Sequence, residues 1–249
     1  MANVQDLIGL QGAGVVEVLT GRSARIPVRM PVRLSIQMTA FLGFSTAAHA
    51  ENAVDVRRIN TVCVETILKS CKVLTAGFIN NDGGASEGAP MLAWQTQTGF
   101  TPEDGVLGGF VLLQSEAGTW RRRDSGFDGW RFFPPRVNED GLLHVPGYTG
   151  GTGAYNADRL YRWDGTAWRA VDMKSWRATI AEHVPSGLQI WKGVQYEFRD
   201  PWSGLVARPA LWRSDDANCC PTGGQAEIVF AITDDRLVVT EVRHTAPRP

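Results

Sequence analysis

The stretch LYRWDGTAWRAV, residues 160–171, contains the clearest hairpin signal in the sequence. Aromatic and β-branched residues stand on both sides of Asp164-Gly165. An Asp-Gly pair between such runs is the strongest short-range indication of a two-residue hairpin turn. We therefore predict two antiparallel strands, over residues 160–163 and 166–171.

Two further segments repeat this pattern of strand, turn and strand. Residues 110–121 place a turn around Gly118, and residues 227–242 place one around Asp234 and Asp235. Both segments are rich in β-branched and aromatic residues, which favour half-buried strands. Hairpins therefore recur over much of the chain.

One segment has helical rather than β periodicity. In residues 175–184 the members of one face recur at helical spacing: Trp176, Thr179, Ile180, His183 and Val184. Ser175 can cap the start and Pro185 stops the end, so we predict a helix here and a second helix or turn in residues 55–67. The predicted fold is mainly β with one or two short helices: an antiparallel meander of hairpins, propeller-like or sandwich-like.

The N-terminal region has the pattern of a secretory signal peptide. Residues 34–50, LSIQMTAFLGFSTAAHA, are uncharged and largely apolar, follow four arginines and end in Ala48-His49-Ala50. The run is shorter than a membrane span, and a buried core helix is the alternative. We expect residues 30–50 to be the signal peptide, with translation starting at Met30, and residues 1–29 to be untranslated or an unstructured leader. Residues 51–249 would then form a single exported β-rich domain, periplasmic or secreted after cleavage near Ala50.

The charge balance argues against a nucleic-acid partner. The net charge is −1. The one basic cluster, Arg121-Arg122-Arg123, is followed closely by two acidic residues, Asp124 and Asp128. That cluster is typical of a solvated strand face. After residue 50 no segment is apolar enough to span a membrane, so we expect no membrane span in the mature chain.

Four cysteines in an exported chain predict two disulfides, with three pairings open: the residues are Cys63, Cys71, Cys219 and Cys220. A Cys219–Cys220 bridge would join Cα atoms about 3.8 Å apart, closer than the usual range for disulfides. We therefore favour links from Cys63 and Cys71 to the adjacent pair. Zinc is the rival interpretation, but the spacings are not those of a zinc knuckle, and we expect no metal.

The segment RSDDANCCPTGGQAEIVFAITDDRLVVTEV, residues 213–242, resembles the C-terminal signature of bacterial secreted proteins of the LppP/LprE lipoprotein type. In that family an Asp-x-Asn-Cys-Cys-Pro-Ser-Gly motif precedes a hairpin. LTAGFINNDGGASEGAPMLAWQTQTG, residues 74–99, resembles the Asp/Gly strand-loop-strand units of those proteins and of FG-GAP-like repeats. The resemblance implies export, β structure and paired cysteines, and leaves the activity open. The residue directly after Ala50 is Glu51 and not a cysteine, so we expect no lipid anchor.

Aromatic and polar residues near turns are the candidates for ligand binding. Nine tryptophans exceed ordinary usage, and the Gly-rich loop of residues 147–158 combines tyrosines with Asn and Asp. Such loops on a rigid frame commonly bind ligands. The candidate binding residues are Tyr148, Tyr155, Asn156, Asp158, Trp163, Asp215 and Asn218.

Oxygen ligands for calcium are also present, at Asn80 and Asp82 and at Asp215 and Asp216. Ordinary turn chemistry, in which these side chains bind their own backbone, is the favoured interpretation. We expect no cofactor.

The sequence contains no recognised catalytic motif: no Gly-x-Ser-x-Gly elbow, His-Glu-x-x-His or phosphate-binding loop is found. His183 is expected to be a core residue of the predicted helix, and His144 to lie on a strand at the surface. We therefore expect a non-enzymatic module that binds an envelope glycan or peptide. The alternative is an envelope hydrolase that uses loop carboxylates.

Overall fold

Antiparallel β-strands make up 51% of the described residues and short helical turns 7%, which confirms the mainly β fold class. The computed structural model describes residues 53–81, 83–151, 155–198 and 204–247. The predicted leader and signal peptide lie outside the described residues. In the described part of the chain, no helix is long and apolar enough to cross a membrane.

In chain order the strands are β1 (Lys69–Ile79), β2 (Leu92–Thr101), β3 (Gly105–Glu116), β4 (Thr119–Gly129), β5 (Arg131–Phe132), β6 (Arg136–Val137), β7 (Leu142–Val145), β8 (Gly147–Tyr148), β9 (Arg159–Trp163), β10 (Trp168–Val171), β11 (Gln195–Glu197), β12 (Leu205–Arg208), β13 (Gln225–Thr233) and β14 (Arg236–Thr245). They form a first sheet in the order β1-β2-β3-β4, a middle sheet in the order β10-β9-β7-β6 and a third sheet in the order β11-β12-β13-β14. A small two-stranded sheet pairs β5 with β8. Every pairing between these strands is antiparallel, as predicted for a meander of hairpins.

All three predicted hairpins are confirmed. Ala117 and Gly118 turn β3 into β4, and Asp234 and Asp235 turn β13 into β14; all four residues have positive φ, as this tight turn requires. The Asp-Gly hairpin has a longer loop than predicted, with four residues from 164 to 167. The carboxylate of Asp164 accepts hydrogen bonds from two backbone N–H groups in the loop, so β10 begins at residue 168.

The predicted helix over residues 175–184 is confirmed only in part, because two short 3₁₀ helices stand in place of one continuous helix. The segment forms two 3₁₀ turns, Ser175–Ala178 and Ile180–Glu182. Side chains at its start are held by contacts with other elements of the fold, and not by the turn itself. The Ser175 hydroxyl, predicted to cap the helix, instead lies 2.8 Å from two carbonyl oxygens to which it can donate, those of Asp172 and of Leu237 on β14. Trp176 is 1% exposed, but His183 is exposed and is not the core residue that helical spacing predicted.

The predicted element in residues 55–67 is also shorter than expected. Only the 3₁₀ turn Val56–Arg58 forms there. A further 3₁₀ turn, Gly84–Ser86, lies between β1 and β2.

The middle sheet buries apolar residues on both of its faces. Toward the first sheet, one core joins these side chains: Leu92, Phe110, Leu112, Leu143, Val145, Tyr161 and Trp168. Toward the third sheet, another core joins these: Leu142, Leu160, Val171, Ile228, Phe230 and Leu237. Successive strand residues point to opposite faces, so neighbours such as Leu142 and Leu143 serve different cores. The three sheets are therefore layered, with the middle one between the other two.

A segment that we call the strap, residues 54–64, crosses the outer face of the first sheet. Ile59 is its most buried residue, at 1% exposed, and packs with Val111 and Leu113 of β3. Two glutamines of β2, both fully buried, hold its backbone. The side-chain amide of Gln95 donates to Val62 O at 2.9 Å, and that of Gln97 donates to Val64 O at 2.8 Å.

The disulfide pairing differs from the favoured prediction. Cys63 pairs with Cys71, with Cα atoms 6.3 Å apart, and Cys219 pairs with its neighbour Cys220, with Cα atoms 3.8 Å apart. The physical reason is local packing: the strap holds Cys63 beside β1, whereas Cys219 and Cys220 lie in an exposed loop of the third sheet. The links between these two regions do not form.

Candidate functional site

A cleft opens where β7 of the middle sheet faces β11 of the third sheet. Its central cavity has a volume of ≈ 440 Å³. Aromatic rings form much of its wall: Phe133, Tyr148, Tyr196 and Phe198. Polar groups among them come from His144, Asn156, Asp158 and Glu197.

Two neighbouring cavities extend the cleft. One, of ≈ 370 Å³, shares His144 and Phe198 with the central cavity and adds Arg136. The other, of ≈ 360 Å³, shares Asn156, Asp158 and Tyr196 with the central cavity and adds Asp128, Lys174 and Arg177. Each of the two neighbouring cavities therefore contains basic side chains.

A chain of hydrogen bonds forms the floor of the central cavity. His144 Nε2 lies 2.7 Å from Asp158 Oδ1, and Asn156 Nδ2 donates to Asp158 Oδ2 at 3.0 Å. Asn156 also exchanges two bonds with the backbone of Val194, next to β11, at 2.7 and 2.8 Å. The His144 and Asp158 side chains are only 12% and 7% exposed, so His144 is not the surface residue that we predicted. This chain ties the middle sheet to the third sheet.

Tyr196 lines both the central cavity and the neighbouring cavity that contains Lys174 and Arg177. Its hydroxyl accepts a hydrogen bond from Trp176 Nε1 at 2.9 Å and donates to Met173 O at 3.3 Å. Burial raises the pKa of Tyr196 to about 12, against the opposing effect of the Trp176 bond. The phenol therefore stays neutral and fixed over the whole physiological pH range.

Three aromatic rings in contact lie beside the cleft, and we call them the aromatic platform: Trp130, Phe133 and Tyr148. Phe133 and Tyr148 line the central cavity, and Trp130 packs against Tyr148. The Tyr148 ring lies in the middle, with its centroid 5.6 Å from that of Trp130 and 5.8 Å from that of Phe133. Trp130 is 47% exposed and Phe133 38%. The rings are inclined to one another, by 51° for Trp130–Tyr148 and 28° for Phe133–Tyr148, and the Arg131 guanidinium lies 5.4 Å from the Phe133 centroid. The exposed parts of the Trp130 and Phe133 rings offer apolar surface to a ligand.

The backbone around β5 and β8 fixes this platform. Trp130 N donates to Tyr148 O at 2.8 Å, and Phe133 N donates to Pro146 O at 2.9 Å. Gly147 allows the Phe132 ring to pack under the platform, because a Cβ at residue 147 would lie 2.5 Å from that ring. The glycine of this loop thus serves close packing, which the Gly-rich sequence alone could not specify.

The structure brings together some of the predicted binding residues. Tyr148, Asn156 and Asp158 line the central cavity, and Tyr155, 46% exposed, lines the neighbouring one.

The remaining predicted residues lie elsewhere. Trp163 is half-buried against Trp168, with ring centroids 5.6 Å apart. Asp215 and Asn218 are exposed in the loop that contains the adjacent cysteines, and neither is among the described residues that line the three cavities.

Sequence reasoning missed the far wall of the cleft. Tyr196 and Phe198 alternate in the segment QYEF, residues 195–198, and such alternation places both rings on one side of a strand. The segment was too short to stand out beside the long hairpins. Phe133 had no signal of its own, because its exposure depends on the pairing of β5 with β8.

The carboxylates of the cleft are already bound within the protein. Arg159 donates two bonds to Asp128, at 2.7 and 2.8 Å, and Arg208 pairs with Glu197. The carboxylate of Asp158 is used by His144 and Asn156, as described above. A general acid or base must be able to exchange its proton with substrate, so these bonds disfavour a role for the carboxylates as a hydrolytic pair.

Within the described ranges, no three His, Cys, Asp or Glu side chains are grouped so that they could hold a metal ion. Asp82, one of the oxygen ligands considered for calcium, lies outside the described residues. Comparisons of the chain with protein-family models, with curated proteins and with solved structures found no match.

Proposed function

We propose that the protein is an exported, non-enzymatic module that binds a glycan at the aromatic platform and the cleft beside it. Export is supported by the signal-peptide pattern, by the resemblance to LppP/LprE-type proteins and by the presence of disulfides. Tyr148 lies on β8, and Trp130 and Phe133 flank its partner strand β5, each with its backbone N–H bonded across the pair.

The single observation that carries the proposal is the contact between Trp130, Tyr148 and Phe133 beside the cleft. A sugar ring has one apolar face and a rim of hydroxyl groups. The apolar face stacks on exposed aromatic rings, while the hydroxyls need hydrogen-bonding partners close by. The cleft supplies such partners in Gln195 and Glu197, which line its wall and are exposed and half-buried respectively.

The second candidate is a hydrolase, and the contact between His144 and Asp158 is the observation that favours it. A carboxylate that orients an imidazole is a common arrangement for activating water or a hydroxyl group. The cleft carboxylates, however, are all held in bonds within the protein, and the platform lies beside the cleft. Release of reducing sugar from a bound polysaccharide, lost in a His144→Ala variant, would establish this activity instead of simple binding.

Affinity electrophoresis and calorimetry against a panel of neutral and acidic polysaccharides test the glycan proposal. Trp130→Ala should weaken binding by about tenfold or more and leave the thermal midpoint nearly unchanged, because the Trp130 ring is half exposed. Trp191→Ala is the matched control, since Trp191 is 44% exposed, packs against Trp212 and lines none of the three cavities. The proposal fails if the wild type retains no polysaccharide, or if both variants bind as the wild type does.

A further inference from the structure

The acidic side chains of the cleft have bonding partners within the protein, whereas its basic side chains lack a carboxylate partner in the described part of the chain. The acidic side chains Asp128, Asp158 and Glu197 are each bound by a basic or amide group of the protein. The basic side chains Arg136, Lys174 and Arg177 are not: among the described residues, no carboxylate lies within ion-pair distance of any of them. These three cations therefore outnumber Asp158, the one cleft carboxylate that is bound by His144 and Asn156 and not by Arg or Lys.

The frame of the protein positions these cations. Arg177 donates to Lys192 O at 3.1 Å, and its guanidinium lies 4.6 Å from the centre of the Trp176 ring. Arg136 pairs with His144 through the backbone ladder of β6 and β7. Lys174 lies directly before the 3₁₀ turn that carries Trp176. None of the three is on a long free loop.

The excess of basic side chains in the cleft is opposite in sign to the net charge of the whole chain. The chain carries a net charge of −1, with 25 basic and 26 acidic residues. A concave site with an excess of charge of one sign focuses the field and concentrates ligands of the opposite sign. Arginine in particular presents donors in a fork that matches a carboxylate or a sulfate group.

We propose that the ligand of this site is an acidic glycan, whose carboxylate or sulfate groups bind Arg136 in one of the neighbouring cavities and Lys174 and Arg177 in the other. The sugar rings between these groups stack on the aromatic platform. This inference rests on the proposed function, and it adds the charge class of the ligand.

Four polymers tested against the full chain separate the contributions of charge and sugar. Polygalacturonate carries carboxylates, heparin carries sulfates, xylan is neutral, and poly-L-glutamate is acidic without sugar. We expect polygalacturonate or heparin to bind about tenfold or more tightly than xylan and poly-L-glutamate at about 50 mM salt, and to weaken at about 500 mM. Binding of only one of the two acidic polysaccharides supports the proposal and identifies the acidic group.

Charge-removing variants test the assigned cations. Arg136→Gln and Lys174→Gln should each lower the affinity for the acidic polysaccharide by about fivefold, without changing the thermal midpoint. Lys72→Gln is the matched control: it removes the same charge at an exposed residue of β1 that lines none of the three cavities, and should leave the affinity within about twofold of the wild type.

The outcomes distinguish this inference from the function on which it rests. One outcome is that xylan binds as tightly as polygalacturonate and heparin, and that Trp130→Ala still abolishes binding. The module then binds glycans, but the inference that its ligand is acidic is wrong. If poly-L-glutamate binds as tightly as the polysaccharides, an acidic peptide is the better ligand and the inference is overturned. If no polysaccharide binds, both proposals fail.

Discussion

His144 Nε2 lies 2.7 Å from Asp158 Oδ1, and this contact joins β7 to the loop that precedes β9. Both side chains are largely buried. Through Asn156 the same contact reaches the backbone of Val194, so one carboxylate helps to hold the two sides of the cleft at a fixed distance. The floor of the cleft is thus part of the packing between two sheets, and its shape is set before any ligand arrives.

Asp158→Ala should lower the free energy of unfolding by about 2–4 kcal/mol, because it leaves buried donors of His144 and Asn156 without their acceptor. Chemical denaturation measures this loss. Asp158→Asn, which keeps the shape and one acceptor, should recover part of it. Asp215→Ala is the control, since Asp215 is exposed in a loop outside the cleft, and should change the stability by less than about 0.5 kcal/mol. Equal effects of Asp158→Ala and Asp215→Ala would contradict a structural role for the buried carboxylate.

Gln95→Ala should loosen the strap while leaving the sheets intact. The Gln95 side chain is fully buried; it donates to backbone carbonyls of the strap and accepts from Val64 N at 3.0 Å. Removing it leaves several buried polar groups unpaired, at a cost of about 3 kcal/mol. Hydrogen exchange followed by mass spectrometry should show that residues 59–64 exchange faster in the variant than in the wild type, whereas β13 exchanges at the same rate in both.

Gln114→Ala is the matched control for this variant, because Gln114 is a half-buried glutamine of the same sheet whose side chain, among the described residues, donates only to the nearby Glu116. Its exchange pattern should equal that of the wild type. Unchanged exchange of the strap in Gln95→Ala would mean that apolar packing alone holds it.

The hairpins could be predicted from the sequence because their information is local. Ala117-Gly118 and Asp234-Asp235 turn the chain within two residues, and the flanking strands pair with each other at once. The segment after Lys174 shows the opposite case: its helical spacing is overridden by the contact of Ser175 with β14.

The cleft is built from residues that are distant in the sequence, and this is why only part of it was predicted. Tyr148, Asn156 and Asp158 lie on one short loop and could be proposed together. Their partners Tyr196 and Phe198 come from another sheet, and no local pattern indicates which edge strand will face β7. The aromatic platform likewise depends on a pairing, that of β5 with β8, between two strands of two residues each.

Disulfide mapping of the unreduced protein should recover a Cys63–Cys71 link and a Cys219–Cys220 link. The first closes a loop with a sequence separation of 8, so a double Cys→Ser variant at Cys63 and Cys71 should lose about 2 kcal/mol of stability. A link between adjacent residues restricts the unfolded chain very little, and the same double change at Cys219 and Cys220 should cost less than about 0.5 kcal/mol. Peptides that join Cys63 or Cys71 to Cys219 or Cys220 would show that the two regions are cross-linked after all.

The loop that contains the adjacent cysteines should loosen in acid, because Asp216 holds it together. The carboxylate of Asp216 accepts hydrogen bonds from Thr222 Oγ1 at 2.6 Å, Thr222 N at 2.8 Å and Arg213 N at 2.7 Å. These bonds, the one from the Thr222 hydroxyl first, lower the pKa of Asp216 below its ordinary value of 3.8. A carboxyl group whose pKa is lower in the folded than in the unfolded state contributes stability above the unfolded value and loses it as the pH falls through the folded value.

We therefore expect the protection factor of the Thr222 amide, measured by NMR hydrogen exchange, to be constant above pH 3.8 and to fall progressively below it. The Leu211 amide is the internal control, because it donates to the neutral carbonyl of Gly224 at 2.9 Å and should keep its protection over the same range. In Asp216→Asn the carboxylate is absent, so Thr222 protection should be lower near neutral pH and independent of acid. If the wild type loses protection at Thr222 and Leu211 in parallel, acid unfolds the whole sheet. If Thr222 protection in the wild type does not change with pH, the Asp216 carboxylate does not stabilise this loop.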